Sequence, residues 1–329
     1  MSFSRQFKHR LLDVNARSFE AMAMELFYWQ AKHNLIYHTY LSHLGVDFEK
    51  VKSTPNIPFL PIEFFKHHQV ISGNAPPNKR FFESSGTTGQ TRSRHYVADL
   101  SWYHQVCLQG FERQWGPLTD YHIFALLPSY LERSNASLVA MADFFIEQSQ
   151  SAYSGFYLSD LDRLVHQVES AQQTNRRILI LGVTFALLEL VETYRLQWPE
   201  VVVMETGGMK GKRKEITRAE VQELLCHGFG VSKVASEYGM TELFSQAYSQ
   251  AKGQFMSPPW MKISIRDTYD PFSPAPKGRQ GGINVIDLAN VDSCAFIETK
   301  DLGKIVNSRS FEVLGRFDNS EVRGCSLLA

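Results

Sequence analysis

Apolar and polar residues alternate along the middle of the chain in blocks that predict strands and helices in turn. Short, nearly continuous apolar runs predict buried strands at 121–128, 154–158, 177–182, 201–208 and 231–239. Between these runs, longer amphipathic segments predict helices at 134–148, 159–171, 185–196 and 217–228. Strands that alternate with helices of this length are typical of a mainly parallel, helix-covered sheet, so this part of the chain is predicted to be α/β.

The pattern differs on each side of this α/β segment. Residues 18–44 have a broad apolar face that predicts one or two helices, ended by Gly45. Three prolines between residues 55 and 61 then favour an extended connector. Beyond about residue 252, closely spaced turn signals and β-branched runs predict antiparallel or barrel-like β structure.

Two of the predicted helices start with residues that are typical of helix N-termini. Ser159 precedes one amphipathic segment, with Asp162 in the capping-box position three residues later. Thr217 and Glu220 have the same spacing at the start of another segment. Each pair is predicted to satisfy free backbone N–H groups in the first turn of its helix.

The size and composition of the chain narrow its class. With 329 residues it is long enough for a large core, and we interpret it as one domain in three parts: 1–80 helical, 81–251 α/β and 252–329 β-rich. Lys and Arg number 34, as do Asp and Glu, so no net charge draws the protein toward nucleic acid. No apolar run approaches the roughly 20 residues of a membrane span. Four scattered cysteines without a C-x-x-C pair favour a reducing cytoplasm over a disulfide framework or zinc site.

A loop rich in glycine and hydroxyl side chains precedes the α/β segment, in FFESSGTTGQTRSRHYV (81–97). Backbone N–H groups freed by glycine, with hydroxyls and an arginine nearby, form an anion site suited to phosphate. The loop matches neither the Walker pattern nor the dinucleotide fingerprint G-x-G-x-x-G. Taken alone, the same composition also fits a plain turn whose hydroxyls satisfy local backbone groups.

Three later segments decide between these interpretations of the loop. They are SEYGMTE (236–242), KDLGKI (300–305) and LGRFDNSEVRG (314–324). With SSGTTGQTR they resemble, in family order, the phosphate-binding signature and the Y-G-x-T-E, T-G-D-L-G and G-R-x-D motifs of the adenylate-forming superfamily. That superfamily includes acyl-CoA synthetases, non-ribosomal adenylation domains and firefly-type luciferases. Two positions depart from its pattern: Arg92 replaces the usual lysine, and Lys300 replaces the glycine before Asp301.

A narrower resemblance is carried by IPFLPIEFFK, SRHYV, LPSYLERSNASL and ETGGMKG, together with the short length. These features resemble the bacterial bioluminescence acyl-protein synthetase, the synthetase of a fatty-acid reductase complex. The resemblance implies the large N-terminal domain of an adenylate-forming enzyme, with helix-covered β-sheets and a β-rich C-terminal part, lacking the usual small lid domain. It also implies ATP-dependent activation of a carboxylic, typically fatty, acid as an acyl-adenylate, transfer to a protein cysteine, and an acyl-CoA-reductase-like partner.

The resemblance implies a role for each motif residue. The β- and γ-phosphates of ATP would be wrapped by Ser84, Ser85, Gly86, Thr87, Thr88 and Gly89. The adenine would be bound by the backbone at Gly207 and Gly208 and by Tyr238 with Gly239. Thr241 would bond the α-phosphate, and Glu242 would hold Mg²⁺. Asp301 would accept the ribose hydroxyls, Arg316 would contact ribose or phosphate, and Asp318 would mark the hinge.

The α-phosphate needs a counter-charge that most relatives supply from a lysine in the C-terminal domain. The sequence runs to Ala329, so we expect that lysine to be absent. Lys210 is the candidate to replace that lysine, although the run GMKGKRK is also typical of a solvated basic loop. Arg92, in the position of the usual lysine of the phosphate loop, is a further predicted catalytic residue. Cys325, in RGCSLLA, is the candidate acyl carrier, and a small buried apolar tail is the alternative interpretation of that segment.

Two further functions stay open at this level. An acyl-CoA ligase of the phenylacetate type would transfer the acyl group to coenzyme A, although the lid domain usually forms the coenzyme A tunnel in the superfamily. A non-catalytic nucleotide-binding scaffold for an acyl reductase is favoured by Lys300 and the missing lysine, whereas the intact glycine-rich loop and Glu242 oppose it. The identity of the acid and the oligomeric state are not predicted.

Overall fold

The structure, a computed structural model, describes residues 2–73, 80–84, 91–128, 135–158, 160–207, 216–307 and 310–317. In these ranges the helices are α1 (Phe3–Leu11), α2 (Phe19–His33), α3 (Leu35–His43), α4 (Phe64–His67), α5 (Leu100–Trp115), α6 (Ser137–Ser149), α7 (Leu161–Ala171), α8 (Thr184–Thr193) and α9 (Arg218–Phe229). The strands are β1 (Leu60–Pro61), β2 (Phe81–Glu83), β3 (Arg94–Tyr96), β4 (Tyr121–Leu126), β5 (Gly155–Phe156), β6 (Arg177–Val183), β7 (Val202–Thr206), β8 (Ala235–Tyr238), β9 (Ala247–Ser249), β10 (Gln254–Met256), β11 (Met261–Arg266), β12 (Gly281–Asp287), β13 (Phe296–Asn307) and β14 (Ser310–Arg316). None of the helices in these ranges has the length and apolarity needed to cross a membrane.

One large sheet runs through the molecule in the order β11-β12-β13-β14-β10-β9-β8-β7-β6-β4-β5, with β1 beside β13. The pairings from β8 through β7, β6 and β4 to β5 are parallel, whereas all pairings from β8 through β9 to β11 are antiparallel. Helices α6, α7 and α8 pack on the parallel half. The predicted class, an α/β part followed by a β-rich part, is therefore confirmed. The sheet continues across the predicted boundary at residue 252, because Tyr248 of β9 pairs with Met256 of β10.

The parallel half follows the predicted blocks closely. All six residues of β4 are buried, as are all residues of β6 except Arg177, which is typical of parallel strands covered on both faces. Helix α9 has the full predicted capping box: Glu220 N–H donates to the Thr217 hydroxyl at 3.2 Å, and Thr217 N–H donates to the Glu220 carboxylate at 2.7 Å. Residues 18–44 form α2 and α3, and Gly45 follows them with a φ of 68°.

The predicted N-cap of α7 is wrong by one residue. Asp160 rather than Ser159 is the N-cap, and its carboxylate accepts a hydrogen bond from Arg163 N–H at 3.0 Å. A carboxylate also interacts favourably with the positive end of the helix dipole, which a neutral hydroxyl does not. Asp162 does not act as a capping-box partner but accepts a hydrogen bond from the Tyr194 hydroxyl.

Candidate active site

The end of β8 carries several of the predicted site residues. Gly239 follows Tyr238, the last residue of the strand, and a Cβ at Gly239 would lie 2.3 Å from Oε1 of Glu237. Thr206, at the end of the neighbouring strand β7, donates a hydrogen bond to the Glu237 carboxylate. A Cβ at this position would therefore push the Glu237 carboxylate away and disturb its hydrogen bond with Thr206. The segment that follows, 239–246, carries the last four residues of the Y-G-x-T-E motif, which include Thr241 and Glu242.

Asp301 joins the two halves of the sheet at this site. Its Oδ2 accepts a hydrogen bond from the Tyr238 hydroxyl at 2.9 Å, and its Oδ1 lies 3.3 Å from Nε of Arg316. Arg316 is the residue opposite Asp301 in the β13–β14 ladder. Burial raises the pKa of Asp301, although Arg316 and the Tyr238 hydroxyl favour its ionised form. An ionised carboxylate has about four acceptor positions, so Asp301 retains capacity to accept from a diol such as that of ribose.

Tyr238 is a nearly buried bridge between the strands. Its ring packs against Phe255 and Phe311, with centroid distances of 5.8 and 5.5 Å. Burial, together with the nearby Asp301, raises the pKa of Tyr238 well above its ordinary value, so its hydroxyl donates. The structure brings Tyr238, Asp301 and Arg316 together as the motifs imply, and stacking of the tyrosine on a base stays a prediction.

Glu242 is a second buried carboxylate near Asp301. It is 4% exposed, and burial raises its pKa. A hydrogen bond from the Ser93 side chain and the charge of Arg316 oppose this rise, whereas the charge of Asp301 adds to it. A buried carboxylate whose ionisation is disfavoured by burial and by a nearby carboxylate is in an environment that a cation stabilises. Thr241, the residue before Glu242, is half-buried.

The β2–β3 hairpin closes the base of the predicted phosphate loop. Ser93 N–H donates to the Ser84 hydroxyl oxygen at 2.9 Å, and Ser84 N–H donates to the Ser93 carbonyl at 3.1 Å. These two bonds hold the chain ends on either side of residues 85–90. The same hairpin sends the Ser93 side chain to Glu242, so the base of the loop and the predicted metal ligand share a contact.

Arg92, which replaces the usual lysine of the loop, is paired within the hairpin. Its Nη1 lies 2.9 Å from Oε2 of Glu83, and Nε of Arg94 lies 3.1 Å from Oε1 of the same carboxylate. Partial burial opposes the ionisation of Glu83, but the hydrogen bonds from the two arginines outweigh it and lower its pKa. Arg92 therefore has a partner across the hairpin in this structure, and its predicted catalytic role stays a prediction.

Three residues that the motifs do not name hold the segment after β8. His95 of β3 places its Nδ1 2.9 Å from the carbonyl oxygen of Thr241. The Asn290 side-chain amide donates to the carbonyl of Glu242 at 2.8 Å. His95 lies in SRHYV and Asn290 in a turn after β12, so no local signal in the sequence connects either one to residues 241–242.

Asp287 is the third of these residues, and it holds the far side of the same segment. Its carboxylate accepts hydrogen bonds from Phe244 N–H at 3.0 Å and from Ser245 N–H and hydroxyl at 2.9 and 2.6 Å. Burial raises the pKa of Asp287 even though these donors favour its ionised form. Trp260 adds a hydrogen bond from its indole N–H to the Ser245 hydroxyl at 2.9 Å. Buried groups therefore fix the backbone on both sides of Glu242.

The end of β7 supplies the other predicted nucleotide contact in the described ranges. Gly207 has a φ of 73°, a backbone conformation that favours glycine. Just before it, the buried Glu205 carboxylate accepts a hydrogen bond from the Thr184 hydroxyl at 2.9 Å and pairs with Arg218 at 3.0 Å. These contacts anchor the strand end beside β8.

Several predicted residues cannot be placed. The residues that lie outside the described ranges are Ser85, Gly86, Thr87, Thr88, Gly89, Gly208, Lys210, Asp318 and Cys325. The three cysteines inside the described ranges are poor nucleophiles, because burial raises the pKa of Cys107 and Cys226, and raises that of Cys294 to about 12. Nucleophilic chemistry requires thiolate, which a thiol with a raised pKa does not provide near neutrality.

The described residues fit a magnesium ion bound together with a nucleotide. No group of three or more His, Cys, Asp or Glu side chains that would enclose a metal occurs among them. Mg²⁺ does not need such a cage, since it is usually bound through one or two carboxylates plus substrate phosphates. Glu242 offers a buried carboxylate whose ionisation a cation would favour, so its chemistry matches that mode of binding.

Comparisons with solved structures identify the fold. The protein is similar to a 2-hydroxyisobutyryl-CoA ligase, solved in an open conformation with 2-HIB-AMP and CoA, with a TM-score of 0.67 and 14% identity over 93% of this chain and 71% of the ligase. It is also similar to ATP-bound MatB from Rhodopseudomonas palustris, with a TM-score of 0.53 and 17% identity over 72% of this chain and 47% of MatB. The protein therefore has the fold of the adenylate-forming enzymes, and it spans less than half the length of MatB. No protein-family model and no curated protein matches the chain.

Proposed function

We propose that the protein activates a carboxylic acid with ATP and transfers the acyl group to a protein cysteine thiol. In the first step a carboxylate oxygen of the acid attacks the α-phosphorus, and pyrophosphate leaves as the acyl-adenylate forms. In the second step a thiolate attacks the acyl carbon, and AMP leaves as the thioester forms. The fold of ligases solved with an acyl-AMP or with ATP supports the first step.

The observation that carries this proposal is the convergence of three separated motifs. Tyr238 and Asp301 are 63 residues apart in the chain, yet these two residues share one network of hydrogen bonds and charges with Glu242 and Arg316. A carboxylate that accepts from a diol, beside a buried carboxylate suited to a cation, matches the ribose and the metal-bound phosphates of ATP.

The individual roles that we propose are those that the motifs imply. Asp301 and Arg316 bind the ribose, Tyr238 with Gly207 and Gly208 contacts the adenine, and Glu242 holds Mg²⁺. When bound, Mg²⁺ shields the charge that develops as pyrophosphate leaves. Thr241 bonds the α-phosphate. Residues 84–89 bind the β- and γ-phosphates, and Arg92 and Lys210 are the proposed counter-charges.

The proposed acyl acceptor is Cys325. The thiols of Cys107 and Cys294 are buried and that of Cys226 is half-buried, and burial raises the pKa of all three, which supports an acceptor elsewhere. Arg323, two residues before Cys325, is a charge that would favour the thiolate. We further propose that the acid is a fatty acid and that an acyl-CoA-reductase-like protein in the cytoplasm consumes the thioester.

Acid-dependent exchange of labelled pyrophosphate into ATP, with Mg²⁺ and a panel of acids, tests the adenylation step. Exchange with at least one acid supports the proposal. Binding of ATP and Mg²⁺ by calorimetry without exchange for any acid would instead favour the nucleotide-binding scaffold. Absence of ATP binding would end both interpretations.

Labelled acid then tests the acceptor. With ATP and without coenzyme A, we expect label to attach covalently, to be released by neutral hydroxylamine, and to disappear in Cys325→Ser while pyrophosphate exchange survives. The matched control is Cys226→Ser, which removes the most exposed of the other three cysteines and should keep the label. Label retained in Cys325→Ser would contradict the assignment, and transfer only to added coenzyme A would favour the acyl-CoA ligase.

A further inference from the structure

His95 is a buried histidine that the motifs do not name. Its side chain is 0% exposed and packs between Phe244 and Phe65, with ring centroids 4.8 and 5.7 Å from its own. The Thr241 carbonyl, 2.9 Å from Nδ1, can only accept a hydrogen bond, so Nδ1 carries the proton and donates. Burial favours the neutral imidazole, so Nε2 carries no proton and is an acceptor.

The other ring nitrogen shows that stability alone does not explain this histidine. Nε2 is buried and has no hydrogen-bond partner among the described residues. A buried polar atom without a partner destabilises a fold, and a phenylalanine would pack between two phenylalanines without that cost. Burial also lowers the pKa of His95 to about 4, so the ring stays neutral near neutrality and keeps Nδ1 as a donor to Thr241.

The carbonyl that His95 holds belongs to the peptide between Thr241 and Glu242. The next carbonyl, that of Glu242, is held by the Asn290 amide at 2.8 Å. The two consecutive carbonyls on either side of the Glu242 Cα are therefore fixed by side chains from different elements. Fixing both peptides fixes the direction in which the Glu242 side chain leaves the backbone.

The element that carries His95 adds a second consequence. β3 follows residues 85–90 within a few positions, and the same hairpin contacts the Glu242 carboxylate through Ser93. A hydrogen bond from β3 to Thr241 therefore ties the hairpin of the predicted phosphate loop to the segment with the predicted metal ligand. A small change in the distance between the hairpin and this segment would lower the reaction rate strongly, because phosphoryl chemistry depends on alignment.

We propose that His95 is a positioning residue. Its Nδ1–H bond to the Thr241 carbonyl holds the phosphate-loop hairpin and the Thr241–Glu242 segment in the relative position that adenylation requires. The proposal rests on the proposed function for its catalytic consequence. The relative position of these two segments is a property of the folded protein, and the order of residues 241–246 can be measured without turnover.

The test compares two substitutions in the full-length protein. His95→Phe keeps a ring of similar size and removes the donor, whereas His95→Asn places an amide donor near the position of Nδ1. We expect the kcat of pyrophosphate exchange to fall about tenfold or more in His95→Phe with the KM for the acid little changed, and His95→Asn to recover at least part of the loss. The melting temperature of His95→Phe should stay close to that of the wild type, because removal of the unpaired Nε2 offsets loss of the donor to the Thr241 carbonyl.

A second measurement separates this proposal from the proposed function. Amide hydrogen exchange of residues 241–246 should be about tenfold faster in His95→Phe than in the wild type, and slower again in His95→Asn. A wild type without pyrophosphate exchange would refute adenylation, while the amide exchange would still decide whether His95 orders the segment.

His122→Phe is the matched control, because His122 is also buried but bonds Ser151 and Thr174 through its two ring nitrogens, in a different cluster. It should lower the melting temperature and leave kcat and the 241–246 amides unchanged. The proposal on His95 is overturned if His95→Phe keeps kcat within about twofold of the wild type, or if His95→Asn is no better than His95→Phe. It is equally overturned if the 241–246 amides exchange at the wild-type rate in His95→Phe.

Discussion

The parallel and antiparallel halves of the sheet contribute to the candidate site in different ways. The parallel half contributes Thr241 and Glu242 from a segment beyond the end of β8, which no ladder holds. The antiparallel half contributes Asp301 and Arg316 from within β13 and β14, where the two residues are opposite each other in the ladder. One region is a loop that must be held from outside, and the other is part of the sheet.

This difference explains where the supporting contacts lie. The segment after β8 is held by buried side chains of His95, Asn290 and Asp287, all from other elements. Asp301 and Arg316 need no such supports, because the hydrogen bonds of two paired strands fix their backbones. Strand ends in α/β folds are the usual place for ligand contacts, and in this protein they require a dedicated shell of buried polar groups.

Glu242→Gln should produce the largest effect, and it should be confined to catalysis. Loss of one metal-binding carboxylate is expected to cost about 3 kcal/mol in the transition state, or roughly a 100-fold fall in pyrophosphate exchange. The fold should tolerate the change, because burial already raises the pKa of Glu242 and a neutral amide removes a buried charge. Exchange assays and thermal melting of the same variant measure the two effects.

Glu205→Gln is the matched control for this prediction. Glu205 is also buried at a strand end, but it pairs with Arg218 and bonds Thr184. Its substitution should lower the melting temperature and change exchange far less than Glu242→Gln does. Pyrophosphate exchange at the wild-type rate in Glu242→Gln would remove this carboxylate from the mechanism. The parallel half of the sheet would then not contribute Glu242 to catalysis.

The sequence predicts some elements of the fold more accurately than others. The blocks of β4, β6 and α9 are strong local signals, and the Thr217–Glu220 capping box occurs as predicted. Local signals were weaker elsewhere. Helix α1 was not predicted, since only Phe7 and Leu11 of its nine residues are buried.

The site was predictable only as far as its motifs are local. Tyr238 and Asp301 were each named by a motif, but no pattern predicts that the tyrosine hydroxyl would donate to a carboxylate 63 residues away. The His95 bond to Thr241 spans 146 residues and depends on how the hairpin packs against the segment after β8. Such contacts are set by tertiary packing, which hydrophobic periodicity does not encode.

A double-mutant cycle on Tyr238 and Asp301 should show that the two halves are coupled. Tyr238→Phe removes the hydroxyl, and Asp301→Asn keeps an oxygen acceptor while removing the charge. We expect Tyr238→Phe to cost about 1–2 kcal/mol in the free energy of unfolding, with a coupling energy of about 1 kcal/mol between the substitutions. Urea unfolding of the four proteins measures it. Strict additivity would mean that this hydrogen bond does not join the halves energetically.

Lys300→Ala should have the smallest effect. It tests the motif position next to Asp301, where lysine replaces the usual glycine of the family pattern. Successive residues of a strand face opposite sides, and along β13 Asp301 is buried while Lys300 and Leu302 are half-buried. Lys300 pairs with Glu63 before α4, on side chains that are each more than a third exposed, and such pairs contribute about 0–1 kcal/mol. We therefore expect the free energy of unfolding to change by less than about 1 kcal/mol, and the affinity for ATP with Mg²⁺, measured by calorimetry, to stay within about twofold. If Lys300 instead reached the ribose side of the strand, Lys300→Ala would alter the affinity for ATP about tenfold. The β13–β14 register that places Asp301 opposite Arg316 would then be wrong.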